Sequence, residues 1–266
     1  MSRREAVLSA ALVFVVALVA RALAASVVVF PKPEDTAYYF GVARNLIEGR
    51  GLVSDALWSY QTPPLEIPRA AFEVWLPLPS FLAAIPMAIL GVSFAASQWS
   101  AIILGAIVPV LAWRLAADVA EERGLSRERS LTLAIGTGLT CALYLPLLLH
   151  SALPDSTMPF TVLALAACLL MARLVRDPRG GRLTDPRLIA LGLLTGFAAL
   201  TRNEALYLGL AWLIVAWGMK AFSRGTRVRL IATVAVVAGL VFLPWAIRDW
   251  IAFGSPFPGQ AVANAF

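Results

Sequence analysis

The first apolar run of the chain spans residues 6–30 and reads AVLSAALVFVVALVARALAASVVVF. A helix of about 20 apolar residues, rising about 1.5 Å per residue, crosses the hydrocarbon core of a bilayer. The run exceeds the apolar part of a secretory signal, and no small-residue cleavage motif clearly ends it, so it predicts a retained first span. Its one charged residue, Arg21, either snorkels to the outer interface or faces a polar cavity.

Composition extends this interpretation to the whole chain. Of its 266 residues, 60% are hydrophobic and 14% are charged, and the mean hydropathy is +0.79. Soluble domains carry about 45–50% apolar and about 25% charged residues. Too few polar side chains remain to cover a water-facing surface, which excludes a soluble enzyme, a disordered regulator and a secreted disulfide scaffold. The two cysteines and the single histidine are too few for a zinc site or a cluster of histidine ligands.

Charge decides which apolar runs cross the membrane. The runs that we consider lie at residues 6–30, 74–91, 95–117, 131–150, 159–175, 188–201, 204–222 and 228–247. The basic residues between them form four clusters: Arg3 and Arg4; Arg114, Arg123, Arg127 and Arg129; Arg173, Arg176, Arg179, Arg182 and Arg187; Lys220, Arg224, Arg227 and Arg229. All four clusters lie on one side only if the run at 74–91 does not span, and the positive-inside rule then makes that side, with the N-terminus, cytoplasmic.

The predicted fold is therefore an all-α polytopic membrane protein with seven transmembrane helices, integral to the plasma membrane. Residues 31–94 form the first extracytoplasmic loop with amphipathic juxtamembrane helices, one of them the proline-interrupted run at 74–91. We interpret residues 1–266 as a single transmembrane module. The pair Gly192-x-x-x-Gly196 predicts a close helix–helix approach. The basic clusters lack interleaved aromatic residues, so no nucleic-acid partner is expected.

The first outer segment reads PEDTAYYFGVARNLIEGRG at residues 33–51. Asp35 after a proline is a good N-cap, and the apolar spacing that follows predicts a helix with one apolar face, ended by Gly49 and Gly51. Asp35 is either a capping residue on a surface helix or a functional carboxylate at the exit of the first span.

Three further outer turns carry charge: LPDSTMP at 153–159, TRNE at 201–204 and PWAIRDW at 244–250. Asp155 either caps the next helix or acts as a second catalytic or positioning carboxylate. Arg202 and Arg248 lie in predicted outer turns, although the other basic clusters are on the predicted cytoplasmic side. Their position indicates an anionic partner at the outer face, since an arginine can donate two hydrogen bonds to one phosphate. The sequence lacks a glycine-rich nucleotide cradle, so a phosphorylated substrate is expected to be one already in the membrane.

Taken in order, these segments resemble the integral-membrane glycosyltransferases of the GT-C superfamily, in particular the PMT/ArnT-like and RgtA/B/C/D-like enzymes. The resemblance covers nearly the whole chain and depends on these motifs: Asp35-x-x-Tyr38-Tyr39, Ala43-Arg44-Asn45-Leu46, Gly49-Arg50-Gly51, Leu76-Pro77-Leu78-Pro79, Pro154-Asp155-Ser156, Gly196-x-x-x-x-Thr201-Arg202-x-Glu204 and Pro244-Trp245-x-x-Arg248-x-x-x-x-x-Gly254-Ser255-Pro256. It implies a seven-helix module with juxtamembrane helices in the first outer loop.

The resemblance also implies a polyprenyl-phosphate-sugar donor, a glycan, lipid or protein acceptor, and inverting transfer at the outer face. The family's first-loop base corresponds to Asp35, and its second-loop acidic residue corresponds to Asp155. Glu34 competes with Asp35 for the base role. The negative charge of the leaving lipid phosphate would be offset by Arg202 or Arg248, or by Arg69. The predicted substrate-binding residues are Glu34, Tyr38, Tyr39, Arg69, Arg202, Glu204 and Arg248.

We predict no cofactor and no metal, although Asp35 and Asp155, with Glu34 or Glu204, offer oxygen ligands for a divalent ion. Many related enzymes are longer, so the end at Phe266 is interpreted as a fragment lacking a C-terminal region, a minimal enzyme or half of a split one. The main alternative function is a non-catalytic lipid-binding or assembly subunit with the same fold. A small transporter is less favoured, because the polar residues lie at the outer boundary and not at the midplane.

Overall fold

The computed structural model of the protein describes residues 2–57, 65–176 and 185–258. Within these ranges the chain is overwhelmingly helical, and the prediction of an all-α protein is confirmed. The elements are α1 (Arg3–Ser26), α2 (Glu34–Ile47), β1 (Val53–Ser54), β2 (Arg69–Ala70), α3 (Leu78–Leu90), α4 (Phe94–Glu122), α5 (Arg127–Leu143), α6 (Leu145–Ser151), α7 (Thr157–Arg176), α8 (Pro186–Ala199), α9 (Ala205–Gly218) and α10 (Arg224–Phe253). The two short strands form one small sheet.

Several helices are long and apolar enough to cross a bilayer. Among the described residues these are α1, α4, α7 and α10, with α5 and α6 as a fifth span if the bent pair counts as one. The shorter apolar helices α8 and α9 have 14 residues each, and α3 has 13. These helices support a multi-pass membrane protein. The count of seven spans and the skimming role of α3 remain predictions.

The predicted span at 131–150 is bent by 57° between α5 and α6. Tyr144 has an extended backbone at the break, and Pro146 occupies the first turn of α6. A proline lacks the N–H that would bond to the preceding turn, and its ring excludes the carbonyl four residues earlier. The sequence LYLPL therefore ends one helix and begins another.

Helix starts follow local side-chain chemistry. The hydroxyls of Ser93, Ser126 and Ser223 each accept a hydrogen bond from the backbone N–H three residues later. Ser2 forms a reciprocal capping box with Glu5 at the start of α1. Such caps satisfy backbone donors that have no partner inside the helix.

The described residues divide into two compact units. The first comprises residues 2–57, 65–69 and 79–165, and the second comprises 70–78, 166–176 and 185–258. The interpretation of the chain as a single module remains a prediction.

In the first unit, α1 packs against α4 and α5 through small side chains. Ala17 contacts Ala106 and Ala142 in one buried cluster. At Gly138 of α5, an added Cβ would lie 2.8 Å from a methyl group of Val13. Small residues let helix backbones approach closely, which is the usual way that helices associate in a bilayer.

In the second unit, α8 packs against α10 through the glycine pair. A Cβ at Gly192 would lie 2.6 Å from Val237 Cβ, and one at Gly196 would lie 2.7 Å from Val241 Cβ. The predicted close approach at this pair is therefore confirmed. Helix α9 is joined to α10 by a hydrogen bond from Trp212 Nε1 to the Leu230 carbonyl (3.3 Å).

Candidate active site

The candidate active site lies in the first unit, around the buried side chain of Tyr39. Its phenol is 2% exposed and is hydrogen-bonded to Ser156. Burial raises the pKa of Tyr39 above its ordinary range, and the negative charges of Asp35 and Asp155 add to that shift. Two carboxylates that are 120 residues apart in the sequence thus both act electrostatically on one buried phenol. The structure brings these two predicted residues together.

Asp35 lies in the first turn of α2, not at its N-cap. The helix begins at Glu34, and Pro33 with its extended backbone occupies the cap position. The predicted capping role of Asp35 is therefore wrong. The fixed φ of proline suits the entry of a helix, so the helix begins earlier than an aspartate cap would allow. Asp35 and Glu34 are both exposed, and carboxylates in a first turn favour the positive end of the helix dipole.

The opposite face of α2 holds it in place. Tyr38 and Tyr39 are both buried, with their rings edge to face at 5.9 Å. Ala43, further along the same face, packs against Met87 of α3. The Ser80 hydroxyl donates a hydrogen bond to the Tyr39 carbonyl (3.0 Å). These contacts fix the turn that carries Asp35, while its carboxylate stays accessible.

Asp155 lies one residue before the N-cap position of α7 and satisfies the first backbone N–H of that helix, which is close to the capping role that one of the two sequence interpretations expected. Its Oδ1 accepts a hydrogen bond from the Thr157 N–H at 2.7 Å. Its other oxygen, Oδ2, lies 3.9 Å from His150 Nδ1. The residue is only 8% exposed, so its orientation is fixed. This capping role favours Asp155 as a positioning carboxylate and leaves Asp35 as the accessible one.

His150 was not predicted as a site residue. It ends α6 close to Asp155, and its side chain is about half exposed. The usable signal was its position five residues before Asp155, in the turn that the sequence predicts at the outer membrane boundary. A single histidine excludes a cluster of histidine ligands, but that exclusion does not cover a His–Asp pair.

Two further polar residues support the turn at 150–156, and the sequence did not reveal their partners. Arg21 is fully buried and does not snorkel. Its guanidinium donates hydrogen bonds to Ser151 Oγ (3.1 Å) and to the Ala142 carbonyl (3.0 Å) near the C-terminal end of α5. The carbonyl end of a helix favours a cation. Gln98 Nε2 donates to the carbonyls of Ala152 (2.8 Å) and Val28 (3.0 Å).

Replacing Gln98 by Leu is expected to destabilise this turn. The Leu side chain fills similar space but leaves the buried carbonyl of Ala152 and the partly buried carbonyl of Val28 without their donor, which costs about 1–3 kcal/mol. The free energy of unfolding in mixed micelles should fall by that amount, and hydrogen exchange should accelerate at residues 152–156. Ser100→Ala is the control, because that hydroxyl bonds only to its own helix at Ser97 (2.9 Å). Equal stability of the two variants would contradict the role of Gln98.

The remaining predicted residues are distributed over the two units. Arg69 lies in β2 at the end of the first unit. In the second unit, Arg202 donates to Glu204 Oε1 at 2.7 Å, and this contact holds the pKa of Glu204 below its usual range. Arg248 donates to Asp249 Oδ1 at 2.8 Å, and its guanidinium also lies over the ring of Trp245 (4.9 Å). Both arginines therefore have a carboxylate partner in their own unit.

The second unit also contains a groove of about 680 Å³. Its lining is mainly apolar: Phe72, Leu206, Leu210, Leu213 and Phe242, with the charged residues Glu73, Arg202 and Asp249. Phe72 has a φ of +72°, which is costly for a bulky side chain, and its ring packs edge to face on Trp245 at 5.3 Å. The groove offers an apolar channel with a few fixed charges, which suits an amphiphile.

Across residues 2–57, 65–176 and 185–258, no group of three or more His, Cys, Asp and Glu side chains is arranged to hold a metal ion. Comparison of the chain with protein-family models, curated proteins and solved structures found no match.

Proposed function

We propose that this protein is an integral-membrane glycosyltransferase of the GT-C type, transferring a sugar from a polyprenyl-phosphate donor to an acceptor hydroxyl at the outer membrane face. The observation that carries the proposal is the convergence of Asp35 and Asp155 on Tyr39. The accessible carboxylate and the fixed one give a base and a positioning group within one compact unit.

In the proposed reaction, Asp35 accepts the proton of the acceptor hydroxyl while that oxygen attacks the anomeric carbon. The bond between the anomeric carbon and the phosphate oxygen breaks, and the lipid phosphate leaves with the electron pair. Direct displacement inverts the anomeric configuration. Asp155, held by the Thr157 N–H, orients the turn that contacts Tyr39 through Ser156.

We further propose seven spans, formed by α1, α4, the bent pair α5–α6, α7, α8, α9 and α10. Helices α2 and α3 then lie along the outer interface, and the N-terminus is cytoplasmic, in a plasma membrane. The distribution of the basic clusters supports this orientation, because Lys and Arg are retained on the cytoplasmic side.

The function is tested by offering a panel of radiolabelled polyprenyl-phosphate sugars to membranes that contain the protein, together with a cell-envelope fraction that supplies acceptors. We expect one donor to label an acceptor, and membranes without the protein to give no label. This assay also identifies the sugar. Failure of every donor, with the protein folded, would refute the proposed activity.

The second candidate function is a non-catalytic lipid-binding subunit, which the apolar groove of the second unit favours. The two candidates differ in one measurable respect. A subunit of this kind would bind a polyprenyl phosphate to the purified chain yet would transfer no sugar from any donor in the panel.

A further inference from the structure

A second, smaller cavity lies beside α2 in the first unit, with a volume of about 220 Å³. Helix α2 contributes one face to it, and the segment around β1 contributes the other. The residues that matter to the inference are Tyr38, Gly41, Arg44, Ser54 and Asp55. Pockets for drug-sized molecules occupy roughly 300–1,000 Å³, so this cavity suits a more compact group.

The one carboxylate in the lining, that of Asp55, already has hydrogen-bond donors that offset its negative charge. Arg50 donates to both of its oxygens, each at 2.7 Å, and Asn45 Nδ2 donates to it at 3.0 Å. These hydrogen bonds hold the pKa of Asp55 below its usual range. The negative charge of Asp55 is thus matched by Arg50, which does not line the cavity.

Arg44 is the cation that faces the cavity, and its hydrogen bonding is incomplete. Its nearest approach to Asp55 is 3.9 Å, between Nη2 and Oδ2. Its Nε is buried and has no hydrogen-bond partner among the described residues. A buried donor without an acceptor is unfavourable, and here this applies to Nε. The side chain as a whole is 42% exposed, so its outer nitrogens are accessible to a ligand. Arginine also binds planar or tetrahedral oxyanions through paired hydrogen bonds.

Gly41 gives the second, independent observation. It lies inside α2, where glycine is less favourable than alanine. A Cβ built on Gly41 meets no atom within 4 Å, so packing does not require a glycine here. The missing side chain leaves open space against the helix backbone, next to Arg44 on the same cavity wall. Glycine at such a position is typical of close approach between backbone and ligand.

We propose that this cavity binds an oxyanion, either a phosphate or the carboxylate of an acidic sugar, on a group no larger than about one sugar ring. Arg44 donates hydrogen bonds to the anion, and the open surface at Gly41 admits the group that carries it. Binding here is independent of sugar transfer, so the proposal is tested separately from the proposed function.

The test is calorimetric titration of the purified full chain in lipid nanodiscs with inorganic phosphate, glucuronate and glucose. We expect saturable binding of at least one of the two anions and at least tenfold weaker binding of glucose, which lacks the charge. Binding of phosphate alone identifies a phosphate site, and binding of glucuronate alone identifies an acidic-sugar site. Saturable binding of neither anion would overturn the proposal.

Two variants locate the site. Arg44→Gln should weaken anion binding about tenfold or more, since Asp55 keeps its bonds to Arg50 and Asn45 and the local fold is retained. Gly41→Leu should remove binding, because a Cβ has room at this position and the longer side chain then occupies the cavity. Arg123→Gln and Gly136→Leu are matched controls, because both residues are exposed and Gly136 also has no neighbour within 4 Å. Unchanged affinity in Arg44→Gln and Gly41→Leu would refute the assignment.

Discussion

The Asp35→Asn protein is expected to transfer sugar about 10²–10⁴-fold more slowly than the unmodified protein. Asparagine has nearly the same shape as aspartate but cannot accept the proton of the acceptor hydroxyl, and removal of a general base costs a factor of this order. The rate is measured with the donor identified in the panel, at saturating donor concentration. Because Asp35 is exposed in the first turn of α2, the substitution should leave the fold intact.

Glu34→Gln is the matched control for this prediction. Glu34 is the neighbouring exposed carboxylate in the same turn, so its substitution removes the same charge from the same end of the helix. It should lose less activity than Asp35→Asn, because Glu34 is predicted to contact the substrate and not to accept the proton. Full activity of Asp35→Asn would refute the base assignment, and loss of activity in Glu34→Gln alone would transfer that role to Glu34.

The Gly196→Ala protein is expected to be destabilised by about 1–3 kcal/mol, the usual cost of overpacking. The added methyl carbon would lie 2.7 Å from Val241 Cβ and 2.9 Å from the backbone carbonyl oxygen of Ala238. The Cβ of Val241 keeps its position in every rotamer, and the carbonyl belongs to the α10 backbone, so α8 must move away from α10. The measurement is the free energy of unfolding in mixed micelles.

Gly209→Ala supplies the matched control within the same unit. A Cβ at Gly209 of α9 meets no atom within 4 Å. Here the change replaces a glycine in a helix by a better helix former, so the protein should become more stable by about 0.5–1 kcal/mol. The same substitution should thus have opposite effects at the two positions. Destabilisation of equal size at both would show that close packing at Gly196 is not the cause.

The sequence predicted those features whose causes are local. The bond between the Thr157 N–H and Asp155 depends only on neighbouring residues, and the close approach of α8 needs only that Gly192 and Gly196 lie on one face, whichever helix packs there. The helical class followed from composition. The N-cap of α2 was missed, because Pro33 and Asp35 both suit a helix start and the sequence does not rank them.

Features that depend on distant partners could not be read from the sequence. An arginine inside an apolar run is compatible with snorkelling or with burial, and only the position of Ser151 decides between them. The same holds for Gln98, whose acceptors are backbone carbonyls of two other segments. For the candidate site, the two carboxylates were predicted from motif order, whereas His150 and the bend at Tyr144 needed coordinates.

The buried position of Arg21 has a consequence for biosynthesis. Its acceptors at Ala142 and Ser151 are 121 and 130 residues further along the chain, so they are synthesised long after α1. Until they emerge, the guanidinium in the nascent first helix has only the Ala17 carbonyl of its own helix as a native partner (3.2 Å), and a charged side chain inside a membrane span is unfavourable. The valines, leucines and alanines around it must outweigh that cost for α1 to enter the bilayer first. Once the later segments arrive, the same guanidinium becomes the contact that joins the earliest part of the chain to them.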